Sequence, residues 1–147
     1  MSPLANFREA RAEIVAAFAP IWTANAVNGG VVPSIHWEGQ PFSPPKTAAW
    51  VRFSMRHTLS EQASLSGAGG TRRYEKFGTV FVQVFTPLTT GSLVLAEELA
   101  AVAKSAFEGV STVNGIWFTG ARISEVGPDS SWFQMNVSAN FRYDEIV

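Results

Sequence analysis

Residues 72–107 read RRYEKFGTVFVQVFTPLTTGSLVLAEELAAVAKSAF, and this stretch decides the fold. From position 74 to position 85, phenylalanines fall on one side and valines on the other: Phe77, Phe81 and Phe85 against Val80, Val82 and Val84. Because strand side chains alternate with a period of two, the pattern predicts a strand with two largely apolar faces. Such a strand lies in the middle of a sheet, covered by its own helices on one face and by helices or a partner on the other.

An Ala-rich amphipathic helix follows this strand, after a turn at Pro87 and Gly91. Its apolar residues form two adjacent stripes, Leu95, Leu99, Val102, Ala106 and Leu93, Ala96, Ala100, Ala103, Phe107. Charged side chains at Glu97, Glu98, Lys104 and Glu108 stay outside both stripes. We therefore expect the helix to pack closely on the sheet.

Two elements precede the central strand. Ser2-Pro3 is typical of a helix start, and an apolar stripe follows at Leu4, Phe7, Ile14, Phe18 and Ile21. Proline lacks the N–H of the helical ladder, so Pro20 predicts an end or a kink near Ala19. A short strand is expected at positions 31–37, and its Pro33 assigns it to a sheet edge.

The strand predicted from Trp50 to Thr58 has two different faces. One carries Val51, Phe53 and Met55, and the other carries Trp50, Arg52, Ser54 and Arg56. The second pattern fits an interface or lumen-lining face, and it equally fits an ordinary solvated face. A final hairpin has strands at 116–126 and 132–143 with a turn at 127–130, and its last strand alternates between apolar and uncharged polar residues.

These elements predict an α+β fold of order α-β-β-β-α-β-β, a mainly antiparallel sheet with two helices packed on one face. The chain of 147 residues is expected to form a single domain. Residues 39–46 read GQPFSPPK and predict an extended Pro-rich arm whose Phe42 must pack on something. Residues 59–71 are small, polar and Gly-rich, which predicts a mobile loop.

Composition argues against several functional classes. The formal net charge is −1 with no basic tail, so we expect no direct sequence-specific nucleic-acid binding. The longest apolar run is too short for the ~20 residues of a membrane-spanning helix, and no membrane association is expected. Charged residues make up only 16% of a chain with five Trp and eleven Phe. Part of this aromatic surface is either covered by another chain or consumed by two well-filled sheet faces.

No catalytic pattern is present. The glycines at 67–70 lead into Thr71-Arg72-Arg73 and a strand, whereas a P-loop needs Gly-Lys-Ser/Thr entering a helix. His36 and His57 lie in separate strands without metal-ligand spacing, and there is no cysteine. The adjacent carboxylates of Glu97 and Glu98 diverge on a helix. We expect no catalytic residues, no metal site and no cofactor, and hence not an enzyme.

Three groups of residues together resemble a known family. They are Trp37-Glu38-Gly39-Gln40-Pro41-Phe42-Ser43-Pro44-Pro45 before the strand from Trp50; Arg73, Gly78, Phe85-Thr86-Pro87 and Gly91 before an Ala-rich helix ending at Phe107; and a terminal hairpin closing on Trp132 to Tyr143. With the N-terminal helix, this arrangement resembles the tail terminator-like proteins of long-tailed phages and prophages. The likeness covers nearly the whole chain and involves no reactive groups.

The resemblance implies a non-enzymatic virion protein at the neck end of the tail, assembled in the host cytoplasm. It implies a homo-hexameric ring that caps the tail-tube protein, stops its polymerisation and meets head-completion proteins of the neck. Ring contacts join two different patches. The candidate interface residues are Trp37, Phe42, Trp50, Arg52, Arg56, Arg72 and Arg73. Two alternatives stay open: another head–tail joining protein, and a small-ligand module with a pocket between helices and sheet.

Overall fold

The computed structural model of the chain describes residues 7–26, 32–62, 73–88, 92–112, 114–129 and 131–146. Its elements, in chain order, are α1 (Phe7–Asn25), β1 (Ser34–Trp37), β2 (Trp50–Gln62), β3 (Arg73–Pro87), α2 (Ser92–Ser105), β4 (Trp117–Asp129) and β5 (Trp132–Ile146). This order confirms the predicted α+β class.

The five strands form one sheet in the order β1-β2-β3-β5-β4. The strand predicted to be central, β3, lies in the middle, and β1 lies at an edge as its proline indicated. Three of the four strand pairs are antiparallel, while β1 runs parallel to β2. Pro33 precedes β1 and is not part of it.

Several strands are longer than predicted. β2 continues to Gln62 because Leu59 to Gln62 pair with Phe77 to Tyr74 of β3, after a bulge between His57 and Leu59. The predicted loop therefore does not begin at 59, and its remaining positions 63–71 lie outside the described residues, as does Arg72. Residues 127–129, predicted as a turn, also continue a strand, since Asp129 pairs with Trp132.

One of the two predicted outcomes was that α1 would end near Pro20. Instead, α1 runs on to Asn25. Pro20 and Ala16 are exposed, so water can satisfy the carbonyl group that loses its partner. Beyond the proline, Trp22 is fully buried and donates its indole N–H to the Pro33 carbonyl oxygen at 3.0 Å. Tertiary packing thus stabilises the last turn. Ile21, predicted in the apolar stripe, is 37% exposed, and Trp22 takes its place.

Both helices cover the same face of the sheet, here called the core face. The Phe18 ring lies at the centre of this layer, with ring centroids 5.2 Å from Phe53 of β2, 5.5 Å from Trp22 and 5.9 Å from Phe107. α2 contributes Ala96, Leu99, Ala100 and Ala103, and small side chains let it approach β3 and β5 closely. Leu93, which the sequence placed in an α2 stripe, is 48% exposed.

Two carboxylates fasten α1 to the sheet and its loops. Glu38 pairs with Arg11, and its Oε1 also accepts from the backbone N–H of Met55 at 3.3 Å. Glu13 accepts from the backbone N–H and the side-chain amide of Asn114 at 2.9 and 2.7 Å. These bonds fix the orientation of α1 at both of its flanks.

Gly78 marks a place where β3 has no room for a side chain. A Cβ at this position would collide with the carbonyl oxygen of Arg56 and with the ring of Phe141. The glycine therefore lets the Phe141 ring lie directly over β3, within the apolar core.

Candidate protein interface on the open face of the sheet

The sheet face turned away from both helices, here called the open face, carries a different chemistry. The strand register sorts the side chains in the middle of this face into five rows across β2, β3, β5 and β4. These rows are Trp50-Phe85-Gln134-Gly127, Arg52-Gln83-Asn136-Ser124, Ser54-Phe81-Ser138-Arg122, Arg56-Thr79-Asn140-Thr119 and Leu59-Phe77-Arg142-Trp117.

One end of the open face, the aromatic end, is a cluster of five rings: His36, Phe42, Trp50, Phe85 and Trp132. Trp50 stacks on Phe85 at 4.2 Å, and Trp132 meets its edge at 6.2 Å. Phe42 from the Pro-rich arm lies 5.3 Å from Trp50 and stacks on His36 at 4.9 Å. The Nε2 of His36 lies 3.1 Å from the Gln40 carbonyl oxygen. The arm is thus held against its own subunit, and Trp50 is only 5% exposed.

Arginines dominate the middle of the open face. Arg52 lies over the rings of Trp50 and Phe85, at 5.6 and 5.5 Å from their centroids, and donates to the Gln83 amide oxygen at 3.2 Å. Arg142 lies 4.7 Å from the ring centroid of Trp117 on the neighbouring strand. These cation–π contacts hold two guanidinium groups against the aromatic rings of the sheet.

The middle of the open face is positively charged, although the chain as a whole is not. Arg56 and Arg122 add to Arg52 and Arg142, and the five rows, all within the described residues, contain no carboxylate. The chain's formal net charge is −1. Beyond these rows the same face continues into an acidic row, Glu61-Glu75-Asp144, so a partner of the basic middle must supply negative or hydrogen-bond-accepting groups there.

A shallow cavity of about 280 Å³ opens between the arginines, lined by hydroxyl and amide groups of Thr58, Thr79, Thr119 and Asn140 and by Arg142. Thr79 donates to the Asn140 side-chain oxygen at 3.2 Å. A second cavity of about 360 Å³ lies outside the core, between α1 and the segment after α2, against Ala17, Ile21 and Val110.

The seven residues predicted for interfaces do not form one site. Phe42, Trp50, Arg52 and Arg56 come together on the open face. Trp37 lies on the core face, half-buried, with its ring 5.3 Å from Phe53 and 6.3 Å from Phe18. Arg73 lies six residues along β3 from Thr79, about 20 Å away, beside Asp144 at 4.0 Å. Arg72 is outside the described residues.

Sequence reasoning missed Phe85, Trp132, Arg122, Arg142 and Trp117 as parts of this face. The alternation in β5 did place Trp132 and Arg142 on the polar side of that strand. It could not join them to Arg52 and Arg56, because only the register across β3 brings the two strands together.

At the edge of the core face, the half-buried His57 meets the buried Tyr143, with the imidazole Nε2 2.7 Å from the phenol oxygen. Burial, and then the positive charges of Arg11 and Lys76, lower the pKa of His57. Burial, and then Glu145, raise the pKa of Tyr143 to about 12. Both groups are therefore held neutral at pH 7. Their role is to fill and bond the core edge beneath Phe141.

Within the described parts of the chain, no three His, Asp or Glu side chains group closely enough to hold a metal ion. No described helix is long and apolar enough to cross a membrane.

Comparison with known proteins decides the family. Residues 23–141 match the family described as phage tail terminator protein, which is more than half of the chain. The chain belongs to the phage tail terminator family. It is thus a structural protein of a phage-type tail. The match covers the sheet, α2 and the end of α1, and it confirms the resemblance noted in the sequence.

Two solved structures share the fold of this tail terminator family member. One, which carries no functional name, has a TM-score of 0.66 at 19% identity, covering 91% of this chain and 92% of its own. The other belongs to the virion of a native gene transfer agent particle, with a TM-score of 0.53 at 16% identity, covering 92% of this chain and 94% of its own. No curated protein is significantly similar to the chain in sequence.

Proposed function

We propose that the protein is the tail terminator itself: a homo-hexameric ring that caps the tail tube, stops tube polymerisation and offers a surface to head-completion proteins of the neck. The ring assembles in the host cytoplasm. The observation that carries this proposal is the open face, where four arginines and exposed apolar groups lie in register without a covering layer from the described residues. Family membership supplies the context in which such a face has a partner.

A ring subunit needs two different patches, since each subunit contacts its two neighbours through different surfaces. The two faces of this molecule meet that requirement. The open face is aromatic and basic, while the opposite surface is formed by the outer sides of the helices. Neither is a copy of the other, so contacts of this kind are head-to-tail, the type of contact from which a closed ring is built.

A tail terminator must also prevent further subunits from adding to the polymer, and the sheet edges suit that role. The β1 edge is only four residues long, with the Pro-rich arm beside it. The β4 edge is long, but register shifts between Thr119 and Arg122 and between Glu125 and Gly127 interrupt it. Short or bulged edges are poor templates for adding another strand. Growth by edge-to-edge pairing is therefore blocked at both sides.

The experiment is to add purified protein to polymerising tail-tube protein and measure tube lengths and tube ends by negative-stain electron microscopy. We expect six-fold annular particles, one cap at one end of each tube, and a sharp fall in mean tube length as the protein is titrated. A strictly monomeric protein that leaves tube growth unchanged would overturn the proposal. Binding to heads but not to tubes would assign it to another neck component.

A further inference from the structure

We propose that neighbouring copies join by placing the outer surface of α2 of one subunit on the open face of the next. This inference rests on the proposed ring and names the two surfaces that build it. The partner of the open face is thus a second copy of this chain, recognised through carboxylates and small apolar side chains on a helix.

The outer surface of α2 is unusual for a solvated helix. Val94, Glu97, Glu98 and Ala101 are all exposed and lie at i, i+3, i+4 and i+7, which places them on one stripe, here called the α2 stripe. Val94 is 58% exposed and the preceding Leu93 is 48% exposed. A stripe with two acidic residues between two apolar residues resembles the surface of an interface more than a solvated helix face.

The charges of the α2 stripe are unbalanced within the subunit. α2 has no basic residue before Lys104, and Lys104 is already paired with Glu108 at 2.9 Å. Glu97 and Glu98 make no ion pair with the described part of the chain. Two carboxylates therefore face outward on the surface opposite to four outward-facing arginines.

The open face offers matching groups. Arg52 and Arg142 are held on aromatic rings, which leaves Arg56 on β2 and Arg122 on β4 at the two sides of the face. These strands are three positions apart in the sheet, a separation of about 14 Å. Glu97 and Glu98 are only about 1.5 Å apart along the helix axis and diverge to its two sides, so a helix laid between the two arginines is reached when the long Arg56 and Arg122 side chains extend toward it from either side.

Apolar groups complement each other in the same arrangement. Trp117 and Leu59, which end one row of the open face, are 52% and 51% exposed. Val94 and Leu93 on the helix supply side chains that such a row can bury. The open face and the α2 stripe lie on opposite sides of the subunit. Each copy can therefore contact one neighbour through its open face and the other neighbour through its α2 stripe, as a closed ring requires.

The test is a charge-exchange assay with two variants, R56E/R122E on the open face and E97K/E98K on the α2 stripe. Either variant alone sets like charges against each other at every contact, so we expect at least a tenfold weaker ring assembly by mass photometry. An equimolar mixture restores opposite charges at every contact if the two variants alternate. Six is an even number, so we expect the mixture to form rings of three copies of each by native mass spectrometry.

Controls reverse one charge at an exposed position away from both surfaces: R8E for the first variant and E125K for the second. These controls should assemble as the parent protein does. Circular dichroism melting of every variant checks that the monomers are folded. Raising the salt concentration from 0.1 to 1 M should weaken the parent rings, since exposed ion pairs are screened.

Four results overturn the inference. If both variants form rings alone, or if the mixture of two folded variants stays monomeric, the contact between subunits does not join these two surfaces. The proposed ring itself is not affected by either result. If R56E/R122E forms normal rings but no longer binds tail tubes or double-stranded DNA, the open face serves that partner instead. If the parent protein forms no ring, the proposed function fails together with the inference.

Discussion

The two faces of one sheet differ more than their common backbone would lead one to expect. In β3 the valines at 80, 82 and 84 are completely buried beneath the helices, while Phe77 and Phe81 on the open face are only half-buried. Aliphatic, alanine and aromatic side chains fill the core face, whereas guanidinium and amide groups lie beside the aromatic rings of the open face. Within β3, the larger apolar side chains thus lie on the side with the thinner cover.

This difference shows that an apolar face can be protected in two ways. On the core face a second layer of helices removes water. On the open face the phenylalanines are shielded sideways, by arginines lying over rings and by amides and hydroxyls in the same rows. That second arrangement leaves the surface free to accept another molecule. Whether a neighbouring subunit completes the cover stays a prediction.

The strongest way to break the core face is to remove Phe18. Its fully buried ring touches four other aromatic rings, so Phe18→Ala leaves a large cavity. We expect a loss of about 3–5 kcal/mol in the free energy of unfolding, measured by urea denaturation. Leu59→Ala on the open face is the matched truncation, and we expect it to cost under ~0.5 kcal/mol in the monomer. Equal losses would show that the two faces are packed alike.

A smaller loss of stability is expected from a substitution at Gly78 in β3. Gly78→Ala introduces a methyl group against the Arg56 carbonyl oxygen and the Phe141 ring, and should cost about 1–3 kcal/mol by overpacking. Adding Phe141→Leu should recover only part of this loss, because the backbone oxygen cannot move without distorting β2. Thermal melts of the single and double variants measure the recovery. Full recovery would mean that the ring alone sets the requirement for glycine.

The aromatic end can be opened by one change in the arm. Phe42→Ala removes the ring that covers Trp50 and His36, and we expect a loss of about 0.5–1.5 kcal/mol together with a red shift of tryptophan emission. Pro41→Ala, at an exposed position of the same arm, is the control and should leave the emission unchanged. An unshifted spectrum for Phe42→Ala would show that the arm does not shield Trp50.

The smallest effect concerns pH and the neutral pair on the core face. Because its pKa is lowered, His57 takes up a proton less readily in the folded state than in the unfolded state. The contribution of neutral His57 to the free energy of unfolding is therefore complete above the ordinary pKa of 6.5. It is lost as the pH falls through the lowered pKa. The pKa of Tyr143, raised from 10.0 to about 12, adds stability below pH 10 that is lost as the pH rises toward 12.

Urea midpoints from pH 5 to pH 11 measure both limbs. We expect His57→Gln to flatten the acid limb and Tyr143→Phe to flatten the alkaline limb, each without changing the other. A variant that shifts the whole curve and keeps its shape would contradict the assignment of these groups.

Much of this architecture was predictable from local patterns. The alternation of Phe and Val identified β3 as central, Pro33 identified an edge, and the order of elements followed from turn residues. The errors share a physical cause. Pro20, Leu59 and Gly127 carry local signals for ending an element, and in each case pairing or packing with a distant segment is worth more than the local preference.

The sequence by itself therefore determined the fold class, the central strand and the absence of a recognisable catalytic pattern, since these depend on periodicity and residue type. Only the tertiary structure decided which side chains share a surface. Arg52, Arg122, Trp132 and Phe42 are far apart in the chain, and strand register and the folding back of the arm bring them to one face. Register is set by contacts between strands, which no single stretch of sequence contains.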